Sequence, residues 1–291
     1  MCDTDVNLLF KNANLELEKA SVWFRANKLT LNVKKTKFML FSEKSLQLQD
    51  VTLKIGNQTI QQVGSNCKEK YFKFVGHFLD DKLSWQGHVE HVCKKLAGAN
   101  FAINSSKNFL PYKIRKSLYY SLFESHLNYG ILLWGCTANK NIRKIENMQK
   151  RCIRNVALKS FKAHTEPIFK DLSILKFPDI LSYCKSNFMN QYRNKKLPES
   201  FNNIFTDITC TDESQTRHNS YNFLNKPAIR QTLENFPFKC ILSTWNSLEI
   251  DIKATSDHEE FQKLLKEKYL NSYSAEIQCF NDNCFSCNHG R

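Results

Sequence analysis

The chain has 291 residues, and 42% of them are hydrophobic, including 22 Phe, 10 Tyr and 4 Trp, which excludes a predominantly disordered protein. The 42 Lys and Arg residues outnumber the 28 Asp and Glu residues, which leaves a formal net charge of +14. This excess favours a polyanionic partner, nucleic acid above all. A basic protein that binds no such partner is the open alternative.

The sequence has neither the pattern of a signal peptide nor that of a membrane span. Its start lacks a basic stretch followed by an apolar one, and no later window approaches the roughly 20 uninterrupted apolar residues that a spanning helix needs. Eight of the eleven cysteines are scattered singly, which is typical of thiols in a reducing compartment. We therefore expect an intracellular protein, in the nucleus or the cytoplasm, whose oligomeric state the sequence does not indicate.

Residues 1–85 predict an α+β region. Apolar residues recur at helical spacing from Val6 to Asn27, so we expect one helix there that packs one face on a sheet. Two stretches of strand type follow, KLTLNVKKTKFMLF at 28–41 and YFKFVGHFLDDKLSW at 71–85, and Gly56-Asn57 between them predicts a hairpin turn. We expect the two stretches to join one small antiparallel sheet.

The pattern then changes, and residues 86–195 predict an all-α region. The helices are expected at about 86–109, 111–127, 138–158 and 178–192. Residues 196–240 are polar and predict a linker with irregular structure. Residues 241–291 predict a C-terminal helical module, with its helical part at about 241–269, that ends in a cysteine-rich tail.

The helix at 138–158 is predicted to have one apolar and one cationic face. The apolar face carries Ile142, Ile145, Cys152, Ile153 and Val156. The opposite face carries Arg143, Lys144, Lys150, Arg151 and Arg154. A row of cations on one helix face suits contact with nucleic-acid phosphates, whereas the alternative is a solvated surface.

Two groups of side chains are weighed as catalytic or metal sites. Asp80-Asp81 resembles a metal-binding carboxylate pair, but no further carboxylate follows a neighbouring strand, so a turn before Trp85 is favoured. His88 and His91 lie three residues apart without a third ligand, which favours an ordinary helix surface. Neither group therefore predicts a reaction.

The tail CFNDNCFSCNHGR is the strongest metal candidate. Cys279, Cys284, Cys287 and His289 form the pattern C-x4-C-x2-C-x-H, in which C-x2-C can place two thiolates on one zinc ion. His289 follows Cys287 too closely to be an unstrained fourth ligand. A zinc site and a reduced cysteine-rich tail both stay open.

Four motifs together resemble the carboxy-terminal part of reverse transcriptases from non-long-terminal-repeat retrotransposons, especially the jockey-like group. They are LELEKASVWFRANKLTLNVKKTKFMLF, YFKFVGHFLDDKLSWQGHV, LYYSLFESHLNYGILLWG with the helix around Gln149 to Arg154, and STWNSLEIDIK followed by FQKLLK. The last is similar to the family's W-N-x-L-P segment, with Glu249 in place of proline. The resemblance runs almost end to end.

The resemblance implies a remnant of a polymerase palm followed by a helical thumb. Lys35 and Thr36 would then lie near the incoming nucleotide, and Phe72, Phe74 and Gly76 would belong to the hairpin that holds the primer end. The thumb helices would run along a template-primer duplex. RNA or an RNA–DNA duplex is therefore the expected partner.

The family's metal-binding aspartates precede the region that this chain resembles. Asp3 and Asp5 lack the surrounding pattern of that site, so no catalytic role is carried onto them. We expect a truncated reverse transcriptase without polymerase activity, in which Mg²⁺ would matter only to a complete enzyme and nucleic-acid binding would persist. The alternatives are a part of a complete, active enzyme and a scaffold for protein interactions.

Overall fold

In a computed structural model the chain divides into two compact units, Met1–His88 and Val89–Arg291. The structure describes residues 5–41, 52–202, 204–206, 221–224 and 237–274. Within them, helices predominate and the strands are short, which is compatible with the expected α+β class. No described helix combines the length and apolar character that crossing a membrane requires.

The first unit begins with helix α1, Val6–Ala26, which confirms the helix predicted there. Its N-terminus is capped because the Asp5 carboxylate accepts a hydrogen bond of 2.9 Å from the amide of Asn7. One face of α1 carries the buried Phe10, whose ring meets that of Phe38 edge to face at 5.7 Å. The helix thus packs on the strand that contains Phe38.

In the described residues of the first unit, six short strands form three separate two-stranded sheets. They are β1 (Lys37–Met39), β2 (Lys54–Ile55), β3 (Gln58–Thr59), β4 (Gln61–Val63), β5 (Phe72–Phe74) and β6 (His77–Leu79). β1 pairs with β4 in parallel, whereas β2 with β3 and β5 with β6 form antiparallel hairpins. The expectation of one antiparallel sheet was therefore wrong, since β1 and the β5–β6 hairpin belong to different sheets.

The alternating run at 28–41 contributes only the three residues of β1. A turn precedes the strand, in which the amide and the hydroxyl of Thr36 both donate to the carbonyl of Asn32 at 3.0 Å. Asn favours such turns over extended backbone. The turn takes up residues 32–36, which the alternation had assigned to a strand.

The predicted hairpin at Gly56-Asn57 is confirmed, because these two residues connect β2 and β3. A second two-residue loop, Val75-Gly76, connects β5 and β6. Both of its residues have positive φ angles, 44° and 80°. A β-branched side chain at positive φ is sterically strained, so Val75 stores backbone strain at the tip of this hairpin.

Helices build the second unit. After α2 (Gln86–Ser106), which begins in the first unit, they are α3 (Tyr112–Leu118), α4 (Ser125–Asn128), α5 (Ile131–Trp134), α6 (Asn139–Val156), α7 (Glu166–Leu172) and α8 (Phe177–Arg193). A π-helical turn, Tyr119–Glu124, joins α3 to α4. The four helices predicted between residues 86 and 192 are confirmed. α5 and α7 were missed because four and seven residues are too few to show a period.

Three C-terminal helices pack with α8 around a shared core. They are α9 (Pro237–Asn246), α10 (Ile250–Ala254) and α11 (His258–Asn271). The core includes Met189 of α8, Trp245 of α9 and Phe261 and Leu265 of α11. The helical character predicted for 241–269 is confirmed, although Asp257 starts a new helix by capping the amide of Glu260 at 2.8 Å.

A buried glutamine fixes α6 to its neighbours. The Gln149 amide donates to the Tyr119 hydroxyl at 2.8 Å and to the Leu175 carbonyl at 2.9 Å, and its oxygen accepts from the Phe177 amide at 2.8 Å. Phe177 also stacks on Trp134, with ring centroids 6.0 Å apart. The aromatic motif at 118–135 therefore serves this packing around α6.

The Trp245-Asn246 pair holds the segment 221–224. The Trp245 indole donates to the Tyr221 carbonyl at 2.8 Å, and the Asn246 side chain bonds both the amide and the carbonyl of Phe223, at 3.1 and 2.9 Å. The ammonium of Lys253 donates to the carbonyl of Asn246 at 2.9 Å. These bonds give the W-N-x-L sequence a structural role.

Candidate nucleic-acid interface

Helix α6 has the two faces that its sequence predicts. Its buried residues are Ile145, Gln149, Cys152, Ile153 and Val156, while Ile142 is half-buried. On the opposite side Arg143, Lys144 and Arg151 are exposed, and Lys150 and Arg154 are half-buried. The cations are thus accessible to a ligand, and their contact with nucleic acid stays a prediction.

Arg151 and Arg154 line a groove that lies between α2, the last turn of α6 and the loop after it. This α2–α6 groove has a volume of about 600 Å³. Its cationic side chains are Lys107, Arg151, Arg154 and Lys159. The other polar lining residues are asparagines, and no Asp or Glu is among the described residues that line it. The groove is therefore electropositive.

A chain of polar side chains forms one wall of the groove. The Asn155 amide donates to the Asn100 side-chain oxygen at 2.9 Å, which links α6 to α2. The ammonium of Lys107 donates to the Asn155 oxygen at 3.3 Å. Since an ammonium has three N–H groups, this bond orients Lys107 and uses one of them.

Arg154 joins α6 to the loop that follows it. Its Nε–H donates to the carbonyl of Ala163 at 2.8 Å, and its guanidinium lies 6.0 Å from the centre of the Phe161 ring. Burial, and then the nearby charge of Arg151, lower the pKa of the Arg154 guanidinium, which nevertheless stays protonated near neutral pH. An anion between the two arginines would relieve their repulsion.

Two aromatic rings are unusually accessible in the groove. Phe101 of α2 is 71% exposed and Phe161 of the loop is 69% exposed, and both line the groove. Sequence reasoning missed them, together with Asn100 and Lys107, because Asn100 and Phe161 are 61 residues apart in the chain. No spacing pattern in the sequence connects α2 with this loop.

A buried arginine joins the chain segments behind the groove. The Nε–H of Arg115 donates to the Val156 carbonyl at 2.8 Å, at the end of α6. Its Nη1 donates to the carbonyls of Lys107, at 3.3 Å, and Leu110. A cation at helix-terminal carbonyls is favourable because it meets the negative end of the helix dipole.

The residues singled out by resemblance lie in the first unit. Lys35 is exposed, and Thr36 is half-buried, with its hydroxyl bonded to the turn before β1. Phe72 and Phe74 lie on β5, where Phe74 is 59% exposed, and Gly76 occupies the strained loop of the hairpin. Their roles toward nucleotide and primer stay predictions.

Asp80 and Asp81 are occupied by hydrogen bonds within the first unit. The buried Asp80 carboxylate accepts from the amides of Lys82, Ser84 and Trp85, at 3.0 to 3.2 Å. These bonds hold a loop in which Leu83 and Trp85 have positive φ angles. Asp81 accepts from the amide of Ser65 at 3.0 Å and from its hydroxyl. The predicted turn role of this pair is confirmed.

Histidine placement differs from the sequence prediction. His88 is buried, and its Nδ1 accepts the amide hydrogen of Phe78 at 3.4 Å. Its ring also meets that of Trp85 edge to face. The expectation that His88 lies on an ordinary helix surface was wrong, because the loop held by Asp80 folds Trp85 against it.

The predicted zinc ligands are outside the described part of the chain. Cys279, Cys284, Cys287 and His289 all follow residue 274, the last that the structure describes. Within the described ranges, no three or more His, Cys, Asp or Glu side chains gather as a metal site would require. Zinc binding by the tail stays a prediction.

Comparison with known proteins gives one distant similarity. The chain is 25% identical over 124 residues to the RNA-directed DNA polymerase from mobile element jockey of Drosophila melanogaster. This match covers 41% of the chain and 13% of that protein, so the chain spans a small part of its relative. No known protein family and no solved structure matches the chain. The similarity supports an origin related to retrotransposon reverse transcriptases.

Proposed function

We propose that this chain is a nucleic-acid-binding part of a protein derived from a retrotransposon reverse transcriptase. The observation that carries the proposal is the gathering of cations around α6. Lys107, Arg151, Arg154 and Lys159 line one groove without an acidic neighbour in its described lining, and Arg143 and Lys144 extend the charge along the helix. The relative's name, an RNA-directed DNA polymerase, is consistent with such a ligand.

The cations of α6 would contact the phosphate backbone of an RNA–DNA duplex. Lys144 and Arg151 are both exposed and lie seven residues apart, which is about 10 Å along a helix. Side chains at this spacing share a face and can reach phosphates of the same backbone. Each neutralised phosphate releases counterions, so affinity should fall steeply with salt.

Asp80 and Asp81 are engaged in structural hydrogen bonds. Polymerase chemistry uses carboxylates that hold Mg²⁺ beside the reacting phosphate. At Asp80 both oxygens accept hydrogen bonds from its own loop, and Asp81 is bonded to Ser65. This pair does not fit a magnesium site, so the role that we assign to the described residues is binding.

A salt titration tests the proposal. Binding of the purified full chain to a fluorescent RNA–DNA hybrid is measured by anisotropy between 50 and 200 mM salt. With about three phosphates neutralised, affinity should fall about 40-fold over this range. The variant Lys144→Ala/Arg151→Ala should reduce the slope of log K against log salt by about two.

The matched control is Lys196→Ala/Lys263→Ala, which removes two exposed cations from other segments. It should bind like the unmodified chain. Affinity that is absent or independent of salt, or an equal loss in both double variants, would contradict the proposal. Extension of a primed RNA template by the same preparation would show instead that the chain has the polymerase activity of its relative.

A further inference from the structure

The α2–α6 groove has a feature that a duplex-binding surface does not need. Besides its cations it holds two largely exposed phenyl rings, Phe101 and Phe161. Phosphates of a duplex are satisfied by cations alone, and the faces of paired bases are covered by their neighbours in the stack. Exposed rings beside cations are instead the combination with which proteins bind unpaired nucleotides, because every base offers a face for stacking.

Phe161 lies beside the cation of Arg154. The guanidinium is 6.0 Å from the ring centre and donates to the Ala163 carbonyl two residues further on. A ring and a cation thus lie next to each other on the side of the groove formed by the loop. Phe101 projects from the other side, on α2, so that a strand in the groove would meet an aromatic ring at each wall.

The remaining lining residues suit bases and phosphates together. Asn100, Asn104 and Asn155 bring amide donors and acceptors that can bond base edges. Lys107 and Arg151 add positive charge for the backbone. The volume of about 600 Å³ is within the range of pockets that bury small ligands, which is enough for a short segment rather than for a helix of paired strands.

We infer that the α2–α6 groove binds an unpaired segment of single-stranded RNA or DNA, with Phe101 and Phe161 stacking on bases and Arg151 and Lys107 contacting phosphates. This inference rests on the proposed function and adds the class of nucleic acid that the groove selects. A duplex that ends in a single-stranded overhang could then contact the α6 cations and the groove at once.

The experiment compares two probes on the full chain. One is a fluorescent 12-nucleotide oligo(dT), and the other is a blunt 12-base-pair RNA–DNA hybrid. Phe101→Ala and Phe161→Ala should each weaken oligo(dT) binding by about 5- to 150-fold, the effect expected for one lost base stack. Both should leave hybrid affinity within about twofold. Phe161→Trp should keep oligo(dT) binding, because it keeps a stacking surface.

The matched control is Phe109→Ala, because Phe109 is 86% exposed and is not part of the groove lining. It should change neither affinity. A 2-aminopurine within the single strand adds a direct reading, since stacking on a ring changes its fluorescence. Circular dichroism of each variant establishes that the fold is kept.

The outcomes separate this inference from the proposed function. If the chain binds the hybrid but oligo(dT) affinity is unchanged in Phe101→Ala and Phe161→Ala, the groove inference is wrong and the proposed function stands. If Phe101→Ala and Phe161→Ala weaken the binding of oligo(dT) and of the hybrid equally, the inference that the groove selects unpaired strands is wrong. If the unmodified chain binds neither probe, the proposed function itself fails.

Discussion

Replacing Gln149 by leucine should strongly destabilise the second unit. Gln149 is 1% exposed, and leucine would fill its space while leaving the buried Leu175 carbonyl and Phe177 amide without their hydrogen bonds. The Tyr119 hydroxyl would lose one of its two bonds, since it also bonds the Glu124 carboxylate. Each unsatisfied buried group costs about 1–3 kcal/mol. Two such groups would cost about 2–6 kcal/mol, and because local relaxation recovers part of this, we expect a loss of about 2–4 kcal/mol in the free energy of unfolding.

Hydrogen exchange followed by mass spectrometry, over a urea series, measures this free energy directly in peptides from α6 and α8. The control Asn147→Leu makes the same kind of change on the exposed side of α6 and should cost less than about 1 kcal/mol. Tyr119→Phe supplies a double-mutant cycle, in which the cost of Gln149→Leu should fall by about 1 kcal/mol because the hydrogen bond between Gln149 and Tyr119 is already absent. A loss below about 1 kcal/mol, or full additivity with Tyr119→Phe, would refute the reasoning.

Three further predictions follow from strain and titration. Val75→Asn should stabilise the β5–β6 hairpin by about 1 kcal/mol, because Asn-Gly tolerates the positive φ angles that strain Val75. The gain should appear as slower hydrogen exchange of the hairpin amides. Unchanged or faster exchange would show that no strain is relieved. A hydrogen bond from Cys240, and then the charge of Lys185, lower the pKa of the Cys136 thiol, whereas burial raises the pKa of the Cys152 thiol. Iodoacetamide at pH 7 should therefore label Cys136 well before Cys152 in peptide maps. Lys185→Met should slow the labelling of Cys136. Burial, and then the charges of Lys268 and Arg193, lower the pKa of Lys253 from 10.5 to about 8. Between these two pH values the unfolded chain binds more protons than the folded one, so the stability of the wild type relative to Lys253→Met should rise from pH 8 to pH 10.5. A flat or falling difference in urea titrations would count against this assignment.

The long helices were predictable because their signal is local and repeated. α1, α2, α6 and α8 each run for at least 17 residues, long enough for several turns of the apolar pattern. The buried side of α6 follows directly from that period. Helices of four to seven residues give no such signal, and packing rather than periodicity decides where they form.

The strands were harder to predict because pairing partners are chosen in three dimensions. β1 has only three residues and pairs in parallel with β4, more than 20 residues later, and the turn signal between them, Gly56-Asn57, belongs to a different strand pair. The hairpin at Gly56-Asn57 was predictable because its two-residue loop has a specific conformational demand. The run at 28–36 alternates like a strand, but Asn32 turns the chain.

The candidate site was likewise predictable only in part. Its cations on α6 could be read from one helical wheel, whereas its aromatic rings and the partners on α2 could not, since residues from Ala97 to Phe161 meet only when the helices pack. Burial of His88 depends on the conformation of the loop before it, which places Trp85 against the ring and which helical spacing alone does not predict. Charge along one element is thus visible in the sequence, and the shape of a groove between elements is not.

The buried Arg115 has a consequence for the kinetics of binding. Its guanidinium donates to the backbone carbonyls of both Val156, at the end of α6, and Lys107, just after α2. These bonds fix the spacing of the ends of α2 and α6 before any ligand arrives. A binding surface that is already formed loses little conformational entropy on association, so ligands should bind with similar association rates. Discrimination between nucleic acids would then appear chiefly in how long each stays bound.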